Sequence, residues 1–598
     1  MTNNFLSDIF KIPLSAPSLL VIMFALLFYI FIKLSLESFK QYKTKSSLIN
    51  SQNKKYSLLF TILAILVFVS SVCFHFYKIT EFPAAGHEDD AKIVITAYII
   101  KNTGHDSSNK FIPYFPDLKL FYHNELVDRE AQRGIPIYMQ VFLQYFMHPG
   151  HYSLRLESTL ITLFTTLVII FTLLILDIDF RAAMIFGALF ILLPWSRIFA
   201  RTTPECTSYC FASSCYVLSL FYLIKKKDAL SIIFYLTTLS ILYISYSPGL
   251  LLAPISSILI PLVFRFHSKE YEKLSTVLIT TSIILLGVLY FNFNEDAGYQ
   301  YVISRAQDKI GLIGIKNFNI SELTSTFAKN ANIYLANYLS YFLPQFLFIA
   351  GDGNLRHHTG FGGQLFITLC IAFYVGLFYI IERFKSNLYF KTLLVFTLIS
   401  CIPAAISIEG YINSIIKLPL HALRSASMLP PVGIILFLGF RQIFHKNKIL
   451  LIIYLLAISL NVYYFYVDYF NNYSRKLGNN WICDSGLVKT TQKAIKILKK
   501  HPEKKLFYFC SPYSIPYNNL YTIGVKHLLK GDGILSNIFE YLEFKNKIPP
   551  QKGDIFVIQE SFDTFEVLNL NKKIKFILRV QNPSLSNKFG SSLFEIAE

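Results

Sequence analysis

The sequence predicts a polytopic α-helical membrane protein with about 12 transmembrane helices and a small C-terminal α/β domain at residues 471–598. Hydrophobic side chains make up 53% of its 598 residues and charged ones only 16%, which excludes an ordinary soluble enzyme of this size. About a dozen apolar segments meet or approach the roughly 20 residues that a helix needs to cross a bilayer. After about residue 470 the pattern changes to alternating helical and strand periods, as in a small globular domain.

The apolar segments occupy most of the chain before the tail. The first has few positive charges before it and no small-residue cleavage site after it, which indicates an uncleaved helix rather than a signal peptide. Residues 1–56 are therefore interpreted as an additional helix with a basic cytoplasmic loop, followed by a transmembrane module at 57–470. The segments centre on residues 17–35, 57–77, 158–177, 182–199, 205–224, 229–247, 249–265, 276–292, 363–382, 392–409, 427–440 and 449–467.

Lysines and arginines lie mainly between these segments. The 56 basic and 37 acidic residues give a net charge of +19, but the cations follow no single polar face, so nucleic acid is not an expected partner. Basic residues in short loops mark the cytoplasmic side of a membrane. Alternation places five basic loops there, which puts both termini and the segments 78–157, 293–362 and the tail outside. The basic residues are Lys40, Lys43, Lys45, Lys54 and Lys55; Lys225, Lys226 and Lys227; Arg265, Lys269 and Lys273; Arg383, Lys385 and Lys391; Arg441, Lys446 and Lys448.

The absence of cysteine-based and phosphate-binding motifs argues against several classes of protein. Eight cysteines form no dense disulfide framework, and no Cys/His spacing indicates zinc. Cys206, Cys210 and Cys215 lie in an apolar run, where packing explains them. Cys483 and Cys510 are the only cysteines of the tail, and a disulfide between them stays an open alternative in an oxidising compartment. Walker and dinucleotide fingerprints are absent from the sequence. Matched halves of a transporter repeat are not evident either, which makes a transporter less favoured but does not exclude it.

The first external segment contains an acidic cluster, GHEDDAKIVITAYIIKNTG, with Glu88, Asp89 and Asp90. One interpretation is that these acids cap the helix that continues as AKIVITAYII, because carboxylates favour a helix N-terminus. The other is that a carboxylate at a partly dry membrane boundary takes a proton from an attacking hydroxyl group. Both interpretations can hold for different acids.

Further polar clusters fall on the same predicted side of the membrane. Charged groups at this depth are costly and tend to be paired or functional, and an ion pair between Arg201 and Glu205 is the simple alternative. Arginine suits phosphate through its planar donor fork, so an anionic lipid phosphate that carries a sugar fits better than a soluble nucleotide. The clusters are LPWSRIFARTTPECTSYC with Arg197, Arg201 and Glu205; YISYSPG with Tyr246; FIAGDGNLRHHTGFGG with Asp352, Arg356 and His357; and LPLHALRSASMLPP with His421 and Arg424.

These motifs resemble a known family. HEDDAKIVITAYII is similar to the first-loop motif of the GT-C glycosyltransferases related to protein O-mannosyltransferases and lipid A aminoarabinose transferases, in which an acidic pair precedes a small residue, a basic residue and a short helix. PWSRIFARTTPE, FIAGDGNLRHHTGFGGQLF and PLHALRSASMLPP resemble three further motifs of bacterial members, those of the glycosyltransferase family 39 type. The resemblance covers residues 57–470, with the four motifs in order. It implies the GT-C fold.

The resemblance also implies roles for individual residues. Asp89 matches the catalytic base and Asp90 the acid after it, although Glu88 leaves the register of the catalytic acid open by one residue. The TTP step before Glu205 and the helix at 17–35 depart from the family pattern. The residues implied to bind the donor phosphate are Arg201, Arg356, Arg424 and His357, and those implied to bind the acceptor or sugar are Glu205, Arg197, Tyr246, Asp352 and His421.

The implied function is transfer of a sugar from a polyprenyl phosphate, such as undecaprenyl phosphate, to an acceptor hydroxyl with inversion. The expected partners are membrane lipids, the lipid-linked donor and a glycolipid, polysaccharide or protein acceptor. No cofactor or divalent metal is expected. High Lys, Asn, Ile, Phe and Tyr content is typical of an AT-rich bacterial genome, so the expected place is a bacterial inner membrane with a periplasmic active site and tail. The alternative function is a multipass transporter or flippase of a lipid-linked or anionic substrate.

Overall fold

The computed structural model describes most of the membrane module and parts of the tail. Its helices are α1 Val21–Ile30, α2 Ser51–Phe76, α3 Glu88–Thr103, α4 Gly134–Leu143, α5 His151–Ile175, α6 Phe180–Leu192, α7 Pro194–Thr202, α8 Pro204–Lys226, α9 Ala229–Ser245, α10 Gly249–Arg265, α11 Glu272–Phe293, α12 Ile320–Ser340, α13 Cys370–Glu382, α14 Leu388–Ser400, α15 Ile402–Ala405, α16 Leu429–Phe444 and α17 Lys448–Asp468. The described residues are 21–30, 32–33, 51–83, 86–122, 125–131, 134–202, 204–293, 299–300, 304, 320–407, 411–412, 419–444, 448–473, 476, 482–483, 493–494, 496–497, 500–501, 506–509, 555–559, 574–581 and 590–596.

The prediction of a polytopic α-helical protein is confirmed. Each of the twelve apolar segments overlaps one or two described helices, and seven of the described helices are long and apolar enough to cross a membrane, or eight if the bent pair α6 and α7 counts as one span. Several other helices are apolar but shorter, namely α1, α9, α10, and α13 together with the 3-10 turn Ile367–Leu369 that precedes it. The number of membrane spans therefore stays a prediction. Helix α12 lies within the segment that was predicted to be an external loop.

The chain divides into two compact units. Unit 1 comprises Met1–Tyr77, Arg133–Ile135 and Ser158–Tyr466, and unit 2 comprises Lys78–Gln132, Pro136–Glu157 and Val467–Glu598. Most of the segment 78–157 therefore belongs to the same compact unit as the tail. The domain boundaries at residues 56 and 470 stay predictions.

Unit 1 buries its helices to very different degrees. The apolar window of α8 is entirely buried, whereas only 17% of the corresponding window of α2 is buried. Exposed apolar residues such as Leu59, Phe60 and Leu66 line α2, and such a surface is stable only against lipid or another apolar partner. The burial pattern makes α8 the centre of unit 1 and makes α2 a helix with a lipid-facing surface.

Helices α13 and α16 approach closely because each carries a glycine at the crossing. A Cβ atom on Gly376 would lie 2.0 Å from the carbonyl oxygen of Ile435, and one on Gly439 would lie 1.7 Å from that of Ala372. Small residues let helix backbones approach in this way within membranes. The two glycines therefore set the separation of α13 and α16.

Helices α6 and α7 meet at a sharp bend of 58°. Leu193 ends α6, and Pro194 is the first residue of α7, a position that tolerates proline because its missing N–H would be unsatisfied there anyway. All nine residues of α7 are buried. The bend turns the polar motif PWSRIFART into the interior of unit 1.

Unit 2 contains β-strands from two parts of the chain, the segment 78–157 and the tail. Strands β2 Asp117–Tyr122 and β3 Glu125–Ala131 form an antiparallel hairpin that the sequence did not indicate, and β1 Gly86–His87 pairs with β6 Ile482–Cys483. In unit 1, the short strands β4 Tyr411–Ile412 and β5 Pro419–Leu420 also pair.

The tail forms a four-stranded sheet in the order β7-β8-β10-β9. Strands β8 Ile555–Gln559 and β9 Ile574–Gln581 coincide with the strand-like runs DIFVIQE and KIKFILRV of the tail, and β7 Leu506–Phe509 and β10 Gly590–Ile596 complete the sheet. Strand β7 runs parallel to β8, whereas β10 is antiparallel to both of its neighbours. The tail also has a helix-like stretch of sequence near residues 519–547. That stretch, Cys510 and the side chain of Cys483 lie outside the described residues.

We predict that Gly439→Ala lowers the thermal stability of the protein. The added methyl group has no space beside Ala372, and overpacking of this kind typically costs about 1–3 kcal/mol. The melting temperature in detergent, followed by size-exclusion chromatography after heating, measures the effect. Gly287→Ala is the matched control, because a Cβ at that position meets no atom within 4 Å. Equal melting temperatures for the two variants would contradict the close crossing.

Candidate functional site

Asp352 connects two loop segments of unit 1. Its side chain is buried, and Oδ1 accepts a hydrogen bond from the backbone N–H of Asn354 at 2.8 Å. Oδ2 accepts from the backbone N–H of Ala422 at 2.7 Å and lies 2.9 Å from Nδ1 of His357. A carboxylate can only accept, so Nδ1 of His357 is the donor. Asp352 thus fixes His357 and attaches the GDGNLRHH loop to the PLHALR segment.

His421 and Arg424 lie beside this pair. The rings of His357 and His421 are 4.7 Å apart between centroids, with 31° between their planes. The backbone N–H of His421 donates to the hydroxyl of Tyr341 at 3.0 Å. Burial lowers the pKa of His357, the Asp352 carboxylate opposes that shift, and the nearby positive charges of Arg356 and Arg424 reinforce it. The net result is a lowered pKa of His357, which favours the neutral form of its ring.

The PWSRIFART motif reaches the same region. The hydroxyl of Thr202 donates to the carbonyl oxygen of Arg356 at 3.2 Å. The backbone N–H of Trp195 donates to the carbonyl oxygen of Gln364 at 3.0 Å. Three of the four motifs that the sequence singled out therefore contact one another within unit 1.

Arg197 and Arg201 contact the end of α2. Arg197 is fully buried, and Nη1 donates to the carbonyl oxygens of His75 at 2.8 Å and Phe74 at 3.3 Å. Arg201 donates through Nη2 to the carbonyl oxygens of His75 and Tyr77. The last carbonyl groups of a helix have no partner within the helix and carry partial negative charge, which the two guanidinium groups offset. The predicted roles of Arg197 and Arg201 in binding sugar and phosphate stay predictions.

Two other predicted residues of unit 1 lie at helix ends. Tyr246 ends α9, and its ring centroid is 5.8 Å from that of Tyr209. Glu205 lies in the first turn of α8 and is half-buried. Their predicted roles in binding acceptor or sugar are not tested by these contacts.

The acidic motif occupies the first turn of α3 in unit 2. Helix α3 begins at Glu88, so the acids lie within its first turn, where negative charge is favourable. Asp90 is only 3% exposed, whereas Asp89 is half-buried. The side chain of Glu88 lies outside the described residues. Of the two described acids, Asp89 is the more accessible to a substrate.

A buried carboxylate in α5 was missed by the sequence analysis. Glu157 is fully buried, and Oε2 accepts a hydrogen bond from Nε2 of Gln140 at 2.6 Å. Its charge interacts electrostatically with that of Asp90. The sequence did contain a signal for this carboxylate, because HYSLRLEST places Arg155 and Glu157 at the start of an apolar run. Charged residues at membrane depth are costly and often functional.

Arg155 belongs to the same first turns of α5. This buried side chain donates through Nη1 to the carbonyl oxygen of Ile79 at 2.9 Å, and through Nη2 to that of Pro83. Arg155 therefore holds the segment that precedes the acidic motif against α5.

One group of side chains in the described part of the chain has the composition of a metal site. Ligand atoms of Asp352, His357 and His421 lie within 4.8 Å of one another. The expectation that the protein needs no metal is not tested by this geometry.

Comparisons with known proteins give matches among solved structures. No protein-family model matches the chain, and no curated protein sequence matches it at a significant level. The chain is similar to ArnT from Cupriavidus metallidurans bound to undecaprenyl phosphate, with 11% identity, a TM-score of 0.47, and coverage of 90% of this chain and 98% of that one. It is also similar to the archaeal oligosaccharyltransferase AglB from Archaeoglobus fulgidus in complex with an inhibitory peptide and a dolichol-phosphate, with 12% identity, a TM-score of 0.44, and coverage of 79% and 64%.

We predict that Glu157 and Gln140 stabilise the fold as a pair. Either Glu157→Leu or Gln140→Leu leaves the other polar group buried without its partner, which typically costs about 1–3 kcal/mol, whereas replacing both is nearly neutral. Melting temperatures of the two single variants and the double variant form the test. A double variant that loses as much stability as the two single variants together would show that the hydrogen bond contributes nothing.

Proposed function

We propose that this protein is a membrane glycosyltransferase of the GT-C type that moves a sugar from a polyprenyl phosphate donor to an acceptor hydroxyl group. The observation that carries the proposal is the pair of contacts by which the GDGNLRHH loop joins two other polar motifs of unit 1, PWSRIFART and PLHALR. The motifs are more than 60 residues apart along the chain, from Thr202 to Arg356 and from Asp352 to Ala422. Packing alone does not require such a concentration of histidine, arginine and aspartate at helix ends, because buried charges are costly.

The unit 1 cluster supports binding of an anionic group. We assign Arg356, Arg424 and His357 to the phosphate of the donor lipid, and Asp352 and His421 to the sugar or acceptor. Arg424 is buried close enough to His357 to affect its charge. Fixed cations stabilise negative charge as it develops on a leaving phosphate, and loss of one such group often costs about a hundred-fold in rate.

The acidic motif supplies the proposed base. Asp89 takes the proton from the acceptor hydroxyl, whose oxygen then attacks the anomeric carbon. The bond from that carbon to the phosphate oxygen breaks, and the lipid phosphate leaves with the electron pair. Attack opposite the leaving group inverts the anomeric centre. The partial exposure of Asp89 supports this assignment over Asp90, because a base must reach the proton that it removes.

The remaining assignments concern the substrates and their location. We propose undecaprenyl phosphate as the lipid carrier, with a hexosyl or pentosyl group, and a glycolipid, polysaccharide or protein as the acceptor. The high Lys, Asn, Ile, Phe and Tyr content favours a bacterial inner membrane. The five basic loops favour an orientation with the polar motifs and the tail in the periplasm.

We predict that Asp89→Asn abolishes sugar transfer, with a loss of about a hundred-fold or more. The assay uses purified protein in lipid, a panel of radiolabelled polyprenyl phosphate sugars and a membrane extract as acceptor. Glu270→Gln is the matched control, because it removes one carboxylate that is exposed and paired with Lys227 in a loop predicted to be cytoplasmic. Transfer by Asp89→Asn at the parent rate would remove Asp89 from the role of base, and no transfer by the folded parent from any donor would contradict the proposed function.

We predict that Arg424→Gln weakens binding of polyprenyl phosphate at least about ten-fold, because a charge-assisted contact to phosphate is lost. Binding of fluorescently labelled polyprenyl phosphate to the purified protein measures the change. Arg265→Gln is the control, since that arginine is exposed and paired with Glu272. Equal affinities of the parent and Arg424→Gln would place the phosphate elsewhere.

A further inference from the structure

We infer that Asp352, His357 and His421 form a binding site for a divalent first-row transition-metal ion. The three residues come from two loop segments and offer ligand atoms that all lie within 4.8 Å of one another. Asp352 and His357 are buried, and His421 is half-buried. A cation at this point would have one open side, as a site that also binds a substrate requires.

The distance between two of the ligand atoms fits coordination. Oδ2 of Asp352 and Nδ1 of His357 are 2.9 Å apart. With metal–ligand bonds of about 2.1 Å, this separation subtends roughly 90° at the ion, which is the angle between neighbouring ligands of an octahedral site. His421 offers a ligand atom within 4.8 Å of both, and a movement of no more than about 2 Å completes the set, since neighbouring ligand atoms of such an ion are about 3.0 Å apart. On binding, the ion takes the place of the proton on Nδ1, and the neutral imidazole carries its proton on Nε2.

The loop structure holds the ligands in place without the ion. Two backbone N–H groups, from Asn354 and Ala422, donate to the carboxylate of Asp352. The backbone N–H of His421 is bound to the hydroxyl of Tyr341. Groups that orient the ligands of a metal site in this way strengthen binding about 10- to 100-fold.

The ligand types select the class of metal. Two imidazoles and one carboxylate suit Mn²⁺, Fe²⁺, Co²⁺ or Zn²⁺, whereas Mg²⁺ and Ca²⁺ prefer sites made of oxygen atoms. If the proposed function holds, the ion would neutralise charge on the donor phosphate beside Arg424. That role rests on the proposed function, but the binding of the ion does not.

A competing explanation assigns the cluster to loop structure alone. The hydrogen bond from His357 to Asp352 could join the two segments without any ion. That explanation depends on the side chain of His357 and requires no ligand atom from His421, whose ring centroid lies 4.7 Å from that of His357. Replacement of His421 therefore separates the two explanations.

The test measures binding of Mn²⁺, Zn²⁺ and Mg²⁺ to the full-length protein in detergent after removal of metals by a chelator. Isothermal titration gives affinity and stoichiometry, and mass spectrometry of the elements gives the metal content. We expect about one Mn²⁺ or Zn²⁺ per chain in the parent, with Mg²⁺ bound much more weakly. His421→Gln should weaken the binding at least about ten-fold. His148→Gln, which replaces an exposed histidine outside the cluster, should bind as the parent does.

Thermal unfolding gives a second readout that needs no substrate. The metal should raise the melting temperature of the parent, because a ligand that binds only the folded state stabilises it, and this shift should be absent in His421→Gln. If that variant does not fold, Asp352→Asn takes its place, since an amide keeps an oxygen for the N–H of Ala422 while it removes the negative charge. Saturable binding that is lost in the variant supports the site, even if no donor is turned over. Absence of saturable binding below about 1 mM in the parent, or equal binding by parent and variant, overturns the site and leaves the proposed glycosyltransferase standing.

Discussion

Arg197 and Arg201 illustrate the constraint on which unit 1 depends, namely that polar groups removed from water must find partners within the protein. Helix α2 ends at Phe76, and the two guanidinium groups bind the backbone carbonyl oxygens of Phe74, His75 and Tyr77. Between the rings of Phe74 and Tyr466, Arg197 also makes cation–π contacts at 5.7 and 5.6 Å. The bend that separates α6 from α7 is what brings these arginines inward. The arginines of α7, which follow the bend at Pro194, thus supply hydrogen-bond donors for the last carbonyl groups of α2.

Asp352 solves the same problem for the loops of unit 1. Its buried carboxylate would be costly without donors, and the donors come from its own turn, from His357 and from the segment that begins at His421. Each donor is satisfied in return, so the charge and the loops stabilise each other. This mutual requirement explains why a polar cluster persists at the end of an apolar bundle. The side chains of His357, His421 and Arg424 lie together at this point. Imidazole and guanidinium groups can both bind anions, and imidazole can also bind a metal ion.

Hydropathy predicted the helices well because lipid selects apolar runs without reference to tertiary structure, as the agreement for α5, α8 and α17 shows. It failed for α12, whose polar residues resemble a loop, and for the hairpin of β2 and β3, whose pairing depends on contacts that no local pattern encodes. The polar motifs were found because charge stands out at helix ends. Glu157 and Gln140 were missed because their partners lie in a different helix, and a single buried pair leaves almost no trace in a sequence. Nothing in the sequence indicated that Arg197 and Arg201 bind the carbonyl oxygens at the end of α2.

The acidic motif shows how burial resolves an ambiguity that sequence leaves open. The sequence alone does not show which of the three adjacent acids is the base, because each of them can cap a helix or remove a proton. In unit 2 Asp90 is 3% exposed and interacts with the charge of Glu157, and two buried carboxylates near each other resist being ionised together. Asp89, on the next helical position, is half-buried, so its charge keeps contact with water or a substrate. The proposed base needs that access to the proton that it removes. Burial therefore distinguishes the two neighbours, because Asp90 lies in the interior whereas Asp89 is partly exposed.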